Sequence, residues 1–170
     1  MAELQDSGTR REFETGAVRD VSEGKGRCDL LPLTVVSDYL SFIERVPSVY
    51  KGIHPLEAIA LYMDSEKTEA CSAQEFIFYA IYTFTSWREW DSATAVLEVS
   101  KHFEDGARKY GERNWEKGIP AHCYIDSAIR HYLKWSRGDD DEPHDRAFLW
   151  NLFCLLWTVE HRPECIDIFK

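Results

Sequence analysis

Most of the chain after residue 32 carries apolar side chains at the three- and four-residue spacing that is typical of α-helices. The last of these segments, from about His144 to Glu160, is apolar on almost every side. A helix of this kind is covered by other helices rather than by water. We therefore predict an all-α bundle, with helices at about residues 34–46, 55–63, 72–87, 92–110, 126–137 and 144–160.

The segments before the first helix have a different composition. Residues 1–15 are polar and charged, and we expect a poorly ordered tail. Residues 16–32 contain three Gly and a terminal Pro, which favours an extended arm that packs through Leu30 and Leu31. Residues 16–170 are expected to form a single domain. One minor alternative stays open, because the apolar run of residues 76–84 is also consistent with a buried strand.

The composition restricts the classes of function. Thirty acidic against twenty basic residues give a formal net charge of -10, so we expect neither nucleic acid nor an anionic membrane as a partner. The longest apolar run, residues 148–159, is too short to span a bilayer. Five cysteines form no CxxC pair and no signal peptide is visible, so we expect reduced thiols in a cytoplasm.

The stretch from His102 to Trp115 is the densest in chemically useful side chains. Glu104 lies at the edge of the apolar face of the predicted helix, where a carboxylate can contribute to a metal site inside a helical bundle. The alternative is an ordinary ion pair between Glu104 and Arg108, four residues further along the chain. Both interpretations stay open at this point.

The acidic turn of residues 139–142, followed by His144, concentrates oxygen ligands of the kind that Mg²⁺ and Mn²⁺ prefer. A solvated turn whose acids favour the N-terminus of the next helix has the same pattern. On that helix, His144, Asn151 and Thr158 recur every seven residues and share one face. Such a face is either a hydrogen-bonded core network or the wall of a ligand site.

Basic residues form local clusters in this acidic chain. Arginine and lysine beside a carboxylate–metal site are the groups that hold and neutralise a polyphosphate. For one helix the alternatives are an ion pair of Arg130 with Asp126 and core packing of His131. The clusters are Lys109, Arg113 and Lys117, then Arg130 and His131, and finally Arg19, Lys25 and Arg27 in the arm.

Five motifs follow one another along the chain: GAVRDVSEGKGRCDLLP, HFEDGARKYGERNWEKGIP, DSAIRHYLKW, GDDDEPH and LWN. Their combination resembles the phage-associated dATP/dGTP diphosphohydrolases, a family of the MazG-like all-α nucleoside triphosphate pyrophosphohydrolases. The resemblance covers about residues 16–32 and 92–160, whereas residues 33–91 look like an insertion of extra helices. It implies a compact bundle that assembles as a homodimer or homotetramer, in the host cytoplasm if a phage encodes the chain.

The resemblance also implies a reaction. A purine (deoxy)nucleoside triphosphate such as dATP or dGTP would be hydrolysed to the monophosphate and pyrophosphate with Mg²⁺ or Mn²⁺. The cations would neutralise phosphate oxygens and acidify the water that attacks the α-phosphorus. The expected metal ligands are Glu104, Asp141, Glu142 and His144, with Asp139 in reserve.

The basic and polar residues are assigned to the nucleotide on the same grounds. Lys109 and Arg113 are expected to act with Glu104 in catalysis by stabilising charge on the leaving group. Asn114 is expected to bind the nucleoside by hydrogen bonding and Trp115 by stacking. The full set of expected substrate-binding residues is Arg19, Lys25, Arg27, Asn114, Trp115, Lys117, Arg130, His131 and Asn151.

One departure from the wider superfamily leaves alternatives open. The better-known MazG-like enzymes carry an ExxE…ExxD pattern of carboxylates, which this chain lacks. His131 and Lys134 stand near the expected acids of one helix, and Phe148 and Asn151 have an ExxD-like spacing on the last. The alternatives are a catalytically inactive nucleotide-binding sensor or regulatory protein on the same bundle, or a helical interaction module.

Overall fold

The computed structural model describes residues 8–46, 52–65 and 73–168, and within these ranges it contains six α-helices and one two-stranded sheet. The predicted all-α class is confirmed. None of the described helices combines the length and apolar character needed to cross a membrane. The helices are α1 (Leu33–Ile43), α2 (Pro55–Met63), α3 (Ala73–Trp87), α4 (Ser92–Tyr110), α5 (Ala121–Arg137) and α6 (His144–His161).

Helix α6 lies at the centre of the core, where it packs against α1, α3, α4 and α5. From Ala147 to Leu156 every side chain except that of Trp150 is buried. Burial of one large aliphatic or aromatic side chain stabilises the fold by roughly 1.5–3 kcal/mol. The apolar character of α6 on almost every side therefore follows from its position among four other helices.

Helices α1 to α3 belong to the same hydrophobic core as the rest of the chain. Helix α2 packs along α3, and both α1 and α3 contact α6. Residues 76–81 are all buried, because α3 is covered on several sides by its neighbours. The alternative of a buried strand at residues 76–84 is wrong. Residue 72, where this helix is predicted to begin, lies outside the described residues.

The ends of α4 and α5 depend on different kinds of cap. Asp91 caps α4, since its carboxylate accepts the Thr94 N–H at 2.7 Å. Helix α5, in contrast, begins at Ala121 and not at the predicted Asp126. The backbone N–H of His122 lies in the first turn and has no partner within the helix. It donates a hydrogen bond of 3.0 Å to the Asp167 carboxylate, 45 residues away in sequence. No local pattern marks a cap that arrives from so far along the chain.

The N-terminal arm begins with a hairpin of β1 (Arg10–Glu12) and β2 (Val18–Asp20), in which Arg11 pairs with Arg19. The expectation of a poorly ordered tail is therefore wrong for residues 10–12, and residues 1–7 lie outside the described part. After a 3-10 turn at Cys28–Leu30, the arm ends on the core as predicted, with Leu30 and Leu31 buried.

Two glycines attach the arm to α4. The backbone N–H groups of Gly24 and Gly26 each donate a hydrogen bond of 2.9 Å to one carboxylate oxygen of Glu104. Gly26 has a φ of +88°, and a Cβ atom there would lie 2.0 Å from Ser100 Oγ. Gly24 has a φ of +76° but nothing within 4 Å of its Cβ position. Only Gly26 thus needs both the left-handed backbone and the missing side chain.

We expect Gly26→Ala to destabilise the protein more than Gly24→Ala, as measured by urea unfolding followed by circular dichroism. The left-handed backbone alone costs about 1 kcal/mol for alanine at either position. At Gly26 the collision with Ser100 adds about 1–3 kcal/mol of overpacking. An equal decrease in the free energy of unfolding for the two variants would contradict the close contact of the arm with α4.

Candidate active site

A cavity of about 610 Å³ opens between α4, the turn that follows it, α5 and α6. Phe103, Trp115, Ile119 and Trp150 form apolar parts of its wall. Its volume lies in the range of sites that bind small molecules and cofactors. Seven of the residues expected to be functional line it together: Lys109, Arg113, Asn114, Trp115, His131, Glu142 and Asn151.

Three potential metal ligands lie together at one end of this cavity, and two of them, His131 and Glu142, line it. His131 Nδ1 on α5 lies 3.0 Å from His144 Nδ1 on α6, and Glu142 Oε1 lies 3.6 Å from each of them. A point equidistant from three atoms at these separations is about 2 Å from each, which is the length of a bond from a divalent cation to nitrogen or oxygen. These three atoms, called the ligand triangle below, therefore fit a divalent cation.

The Asp141 carboxylate determines which nitrogen of His144 carries a proton in the neutral ring. The His144 side chain is only 1% exposed, and its Nε2 lies 2.8 Å from Asp141 Oδ1. Lys134, 2.7 Å from the other oxygen, and His144 hold the pKa of Asp141 down at about 2, so this carboxylate accepts the Nε2 proton. In the tautomer with its proton on Nε2, the ring has its Nδ1 free to face the ligand triangle. A carboxylate in this position is suited to orienting a ligand, and the expectation that Asp141 is itself a ligand stays a prediction.

The imidazole of His131 is neutral at physiological pH. Burial is the main cause that lowers its pKa, and it outweighs the opposite effect of the Glu142 carboxylate. A neutral imidazole has one nitrogen without a proton, which is the form that binds a metal. The sequence suggested His131 for substrate binding only and did not predict its position beside two other potential metal ligands.

A second group of possible ligands, Asp139, Asp141 and His144, has its ligand atoms within 4.8 Å of one another. Its two carboxylates are already paired with cations, Asp139 with Arg137 and Asp141 with Lys134. The Arg137 guanidinium lowers the pKa of Asp139. Both carboxylates line an open surface depression and not the cavity. This group is less suited to a cation than the ligand triangle.

Glu104 does not join either group. It lies on the side of α4 away from Lys109 and lines a separate groove beside the arm. Burial raises its pKa, but the N–H groups of Gly24 and Gly26 and the Arg108 guanidinium together lower it, so the carboxylate stays ionised. The ion pair with Arg108, the alternative open in the sequence, is formed. The expected convergence of Glu104 with the acidic turn is not found among the described residues.

Two cations line the cavity as expected. Lys109 is exposed, and its pKa is raised chiefly by its contact with Tyr110, so it stays protonated. Arg113 donates a hydrogen bond of 2.7 Å to the Asp29 carbonyl oxygen and pairs with Glu116. Its φ of +52° is left-handed, a conformation that costs roughly 1–3 kcal/mol outside glycine and is concentrated at functional sites.

The remaining basic residues of the expected set do not line the cavity. Arg27 is held by Asp29 at 2.7 Å and by Glu112 at 2.9 Å, and Arg130 pairs with Asp126, as the alternative interpretation proposed. The exposed residues Arg19, Lys25 and Lys117 complete this group.

Two nitrogens in the cavity wall have no partner among the described protein groups. They are His102 Nδ1 and Trp115 Nε1, and both are buried. Trp115 is 4% exposed and packs edge-to-face against Phe103 and Trp157, so its ring is fixed in the core and does not offer the open face expected for stacking. His102 was missed in the sequence, although it lies seven residues before Lys109 on the same helical face.

The comparisons with known proteins cover the part of the chain that builds the cavity. The family model described as dATP/dGTP diphosphohydrolase, N-terminal, matches residues 85–168, from the end of α3 through α6. No curated protein and no solved structure matches the chain. The MazG-like arrangement, the oligomeric state and a phage origin stay predictions. This match over residues 85–168 confirms the resemblance to the dATP/dGTP diphosphohydrolases that the motifs indicated.

Proposed function

We propose that this protein hydrolyses purine deoxynucleoside triphosphates, dATP and dGTP, to the monophosphate and pyrophosphate with a divalent cation. The observation that carries the proposal is the meeting of two kinds of group in one cavity. His131 and Glu142 of the ligand triangle line the same cavity as the cations Lys109 and Arg113. A cation and fixed positive charges are the parts that phosphoryl transfer requires.

His131, Glu142 and His144 would hold the cation. When bound, it supplies Lewis-acid polarisation of the phosphate oxygens and lowers the pKa of water. Two imidazole nitrogens and one carboxylate oxygen favour Mn²⁺ over Mg²⁺, since Mg²⁺ prefers a shell of oxygen ligands. Asp141, 2.8 Å from His144 Nε2, favours the tautomer that carries its proton there and so orients Nδ1 for the cation.

Lys109 and Arg113 would bind the phosphates and stabilise the charge that develops on the leaving pyrophosphate. Arg113 is already tethered to the arm through the Asp29 carbonyl, so its guanidinium needs little reorganisation. Lys109 stands on the cavity face of α4, opposite to the buried Glu104. Phe103 and Trp150 would exclude water from the nucleoside end. Water is the nucleophile at the α-phosphorus in this proposal.

We expect the purified protein to convert dATP and dGTP, but not dTTP or dCTP, to the monophosphate and pyrophosphate in the presence of Mn²⁺. Product identification by ion-exchange chromatography, together with an assay for pyrophosphate, tests this. Stepwise release of orthophosphate would contradict the proposed attack at the α-phosphorus. Nucleotide binding without turnover would support the alternative of a nucleotide sensor.

We expect Glu142→Gln and His131→Gln to weaken Mn²⁺ binding by about 10- to 100-fold in isothermal titration calorimetry, because each removes one ligand. Asp141→Asn is expected to weaken it by about tenfold, because His144 loses the carboxylate that fixes its proton. Wild-type protein should bind Mn²⁺ more tightly than Mg²⁺.

Two variants serve as matched controls for the metal titration. Asp140→Asn removes an exposed carboxylate from the same turn, and Glu104→Gln removes the buried carboxylate beside the arm. Neither is expected to change the affinity for Mn²⁺. A loss of binding in Glu104→Gln, with normal binding in the Glu142 and His131 variants, would refute the ligand triangle and restore the ligand set expected from the sequence.

A further inference from the structure

The two unpartnered nitrogens in the cavity wall need a chemical explanation. His102 Nδ1 and Trp115 Nε1 are buried, and neither has a hydrogen-bond partner among the described residues. A buried polar group without a partner costs roughly 1–3 kcal/mol, so such groups are rare in folded proteins. Both residues line the same cavity, which makes a bound ligand the natural partner for both nitrogens.

The Trp115 indole is a fixed donor. Its N–H can donate a hydrogen bond but cannot accept one. Edge-to-face contacts with Phe103 at 5.7 Å and Trp157 at 4.8 Å hold the ring in one orientation. The matching group on a ligand is therefore an acceptor, and the geometry leaves it little freedom.

The His102 imidazole is adaptable, in contrast. Burial is the main cause that lowers its pKa to about 4, so the ring is neutral at physiological pH. A neutral imidazole carries its proton on either of two nitrogens, and Nδ1 is accordingly a donor in one tautomer and an acceptor in the other. The ring is positioned beside Trp150, with its centroid 5.7 Å away.

Purine bases have an edge whose hydrogen-bonding groups match the donor and acceptor capacity of this pair. Guanine presents two acceptors there, N7 and O6, whereas adenine presents the N7 acceptor and the N6 amino donor. The N7 atom is common to both bases and matches a fixed donor. The neighbouring position is the O6 acceptor in guanine and the N6 donor in adenine. It matches His102 Nδ1, which can donate or accept. Pyrimidines lack the N7 atom.

We propose that Trp115 Nε1 and His102 Nδ1 recognise this purine edge, Trp115 through N7 and His102 through O6 of guanine or N6 of adenine. The inference rests on the proposed function for the presence of a purine nucleotide, and it adds the groups that select the base. A change of tautomer at His102 then lets one cavity accept both dATP and dGTP while it rejects pyrimidine nucleotides.

The test measures binding, so that it does not depend on turnover. The ligands are the α,β-imido analogues of dATP and dGTP, which resist hydrolysis at the α-phosphorus, and their 7-deaza forms, in which carbon replaces N7. Wild-type protein is expected to bind each 7-deaza analogue about tenfold more weakly than its parent in isothermal titration calorimetry. In Trp115→Phe this difference between parent and 7-deaza analogue should vanish.

The role of His102 is tested with the parent analogues. His102→Phe is expected to weaken binding of both by about tenfold, whereas His102→Gln should restore it, because a rotating amide can also donate or accept. Trp87→Phe and His161→Phe are the matched controls, since each removes the same kind of ring outside the cavity wall and away from Trp115. Both should retain the 7-deaza difference.

The outcomes separate this inference from the proposed function. Equal binding of parent and 7-deaza analogues by the wild type, or an unchanged difference in Trp115→Phe, overturns the role of Trp115. Unchanged binding in His102→Phe overturns the role of His102. A protein that shows the expected binding but releases no pyrophosphate from dATP or dGTP contradicts the proposed function alone, and the base recognition stands.

Discussion

The hydrogen bond between Asp141 and His144 connects the surface of this molecule to its core. Helix α6 is buried along most of its length, and His144, at its start, has a side chain that is only 1% exposed. A buried imidazole requires a partner, and Asp141 provides it from the solvent side. Because Nε2 of the ring contacts Asp141, Nδ1 on its other side faces His131 across the α5–α6 contact. The ligand triangle is thus a consequence of how the central helix is packed and capped.

Helix α4 separates two environments that its sequence places side by side. One face carries His102 and Lys109 into the cavity. The other face carries Glu104 into the backbone N–H groups of Gly24 and Gly26, which bind the carboxylate as they would bind an external anion. The glycine-rich arm is thereby held by an internal charge. Its next turn supplies the Asp29 carbonyl that holds Arg113, so the attachment of the arm also positions a cavity cation.

Local sequence patterns predicted the existence of the helices. They did not predict the start of α5 or the partners of Glu104, because both depend on contacts that are remote in sequence. Periodicity located α2 and α6, and Asp91 marked the start of α4. The start of α5 was missed because its cap, Asp167, is remote in sequence. The role of Glu104 was missed for the same reason, since its backbone donors lie about 80 residues earlier. A carboxylate at the edge of an apolar face looks identical whether a metal or a backbone loop will satisfy it.

The distribution of charge determines how a cavity in so acidic a chain can accommodate a triphosphate. The formal net charge of -10 repels polyanions at long range, although salt screens this repulsion beyond about 8–10 Å. Most described arginines, such as Arg27, Arg108 and Arg130, are paired with carboxylates and add little local positive potential. In the proposed reaction, attraction therefore acts at short range, through Lys109 and through the donors of Arg113, whose charge Glu116 partly offsets. A nucleotide already complexed with a divalent cation carries less negative charge, and in the proposed site two of the three ligands that would receive that cation are imidazoles, which add no negative charge. The acidic surface and the histidine-rich site are in this way two parts of one electrostatic arrangement.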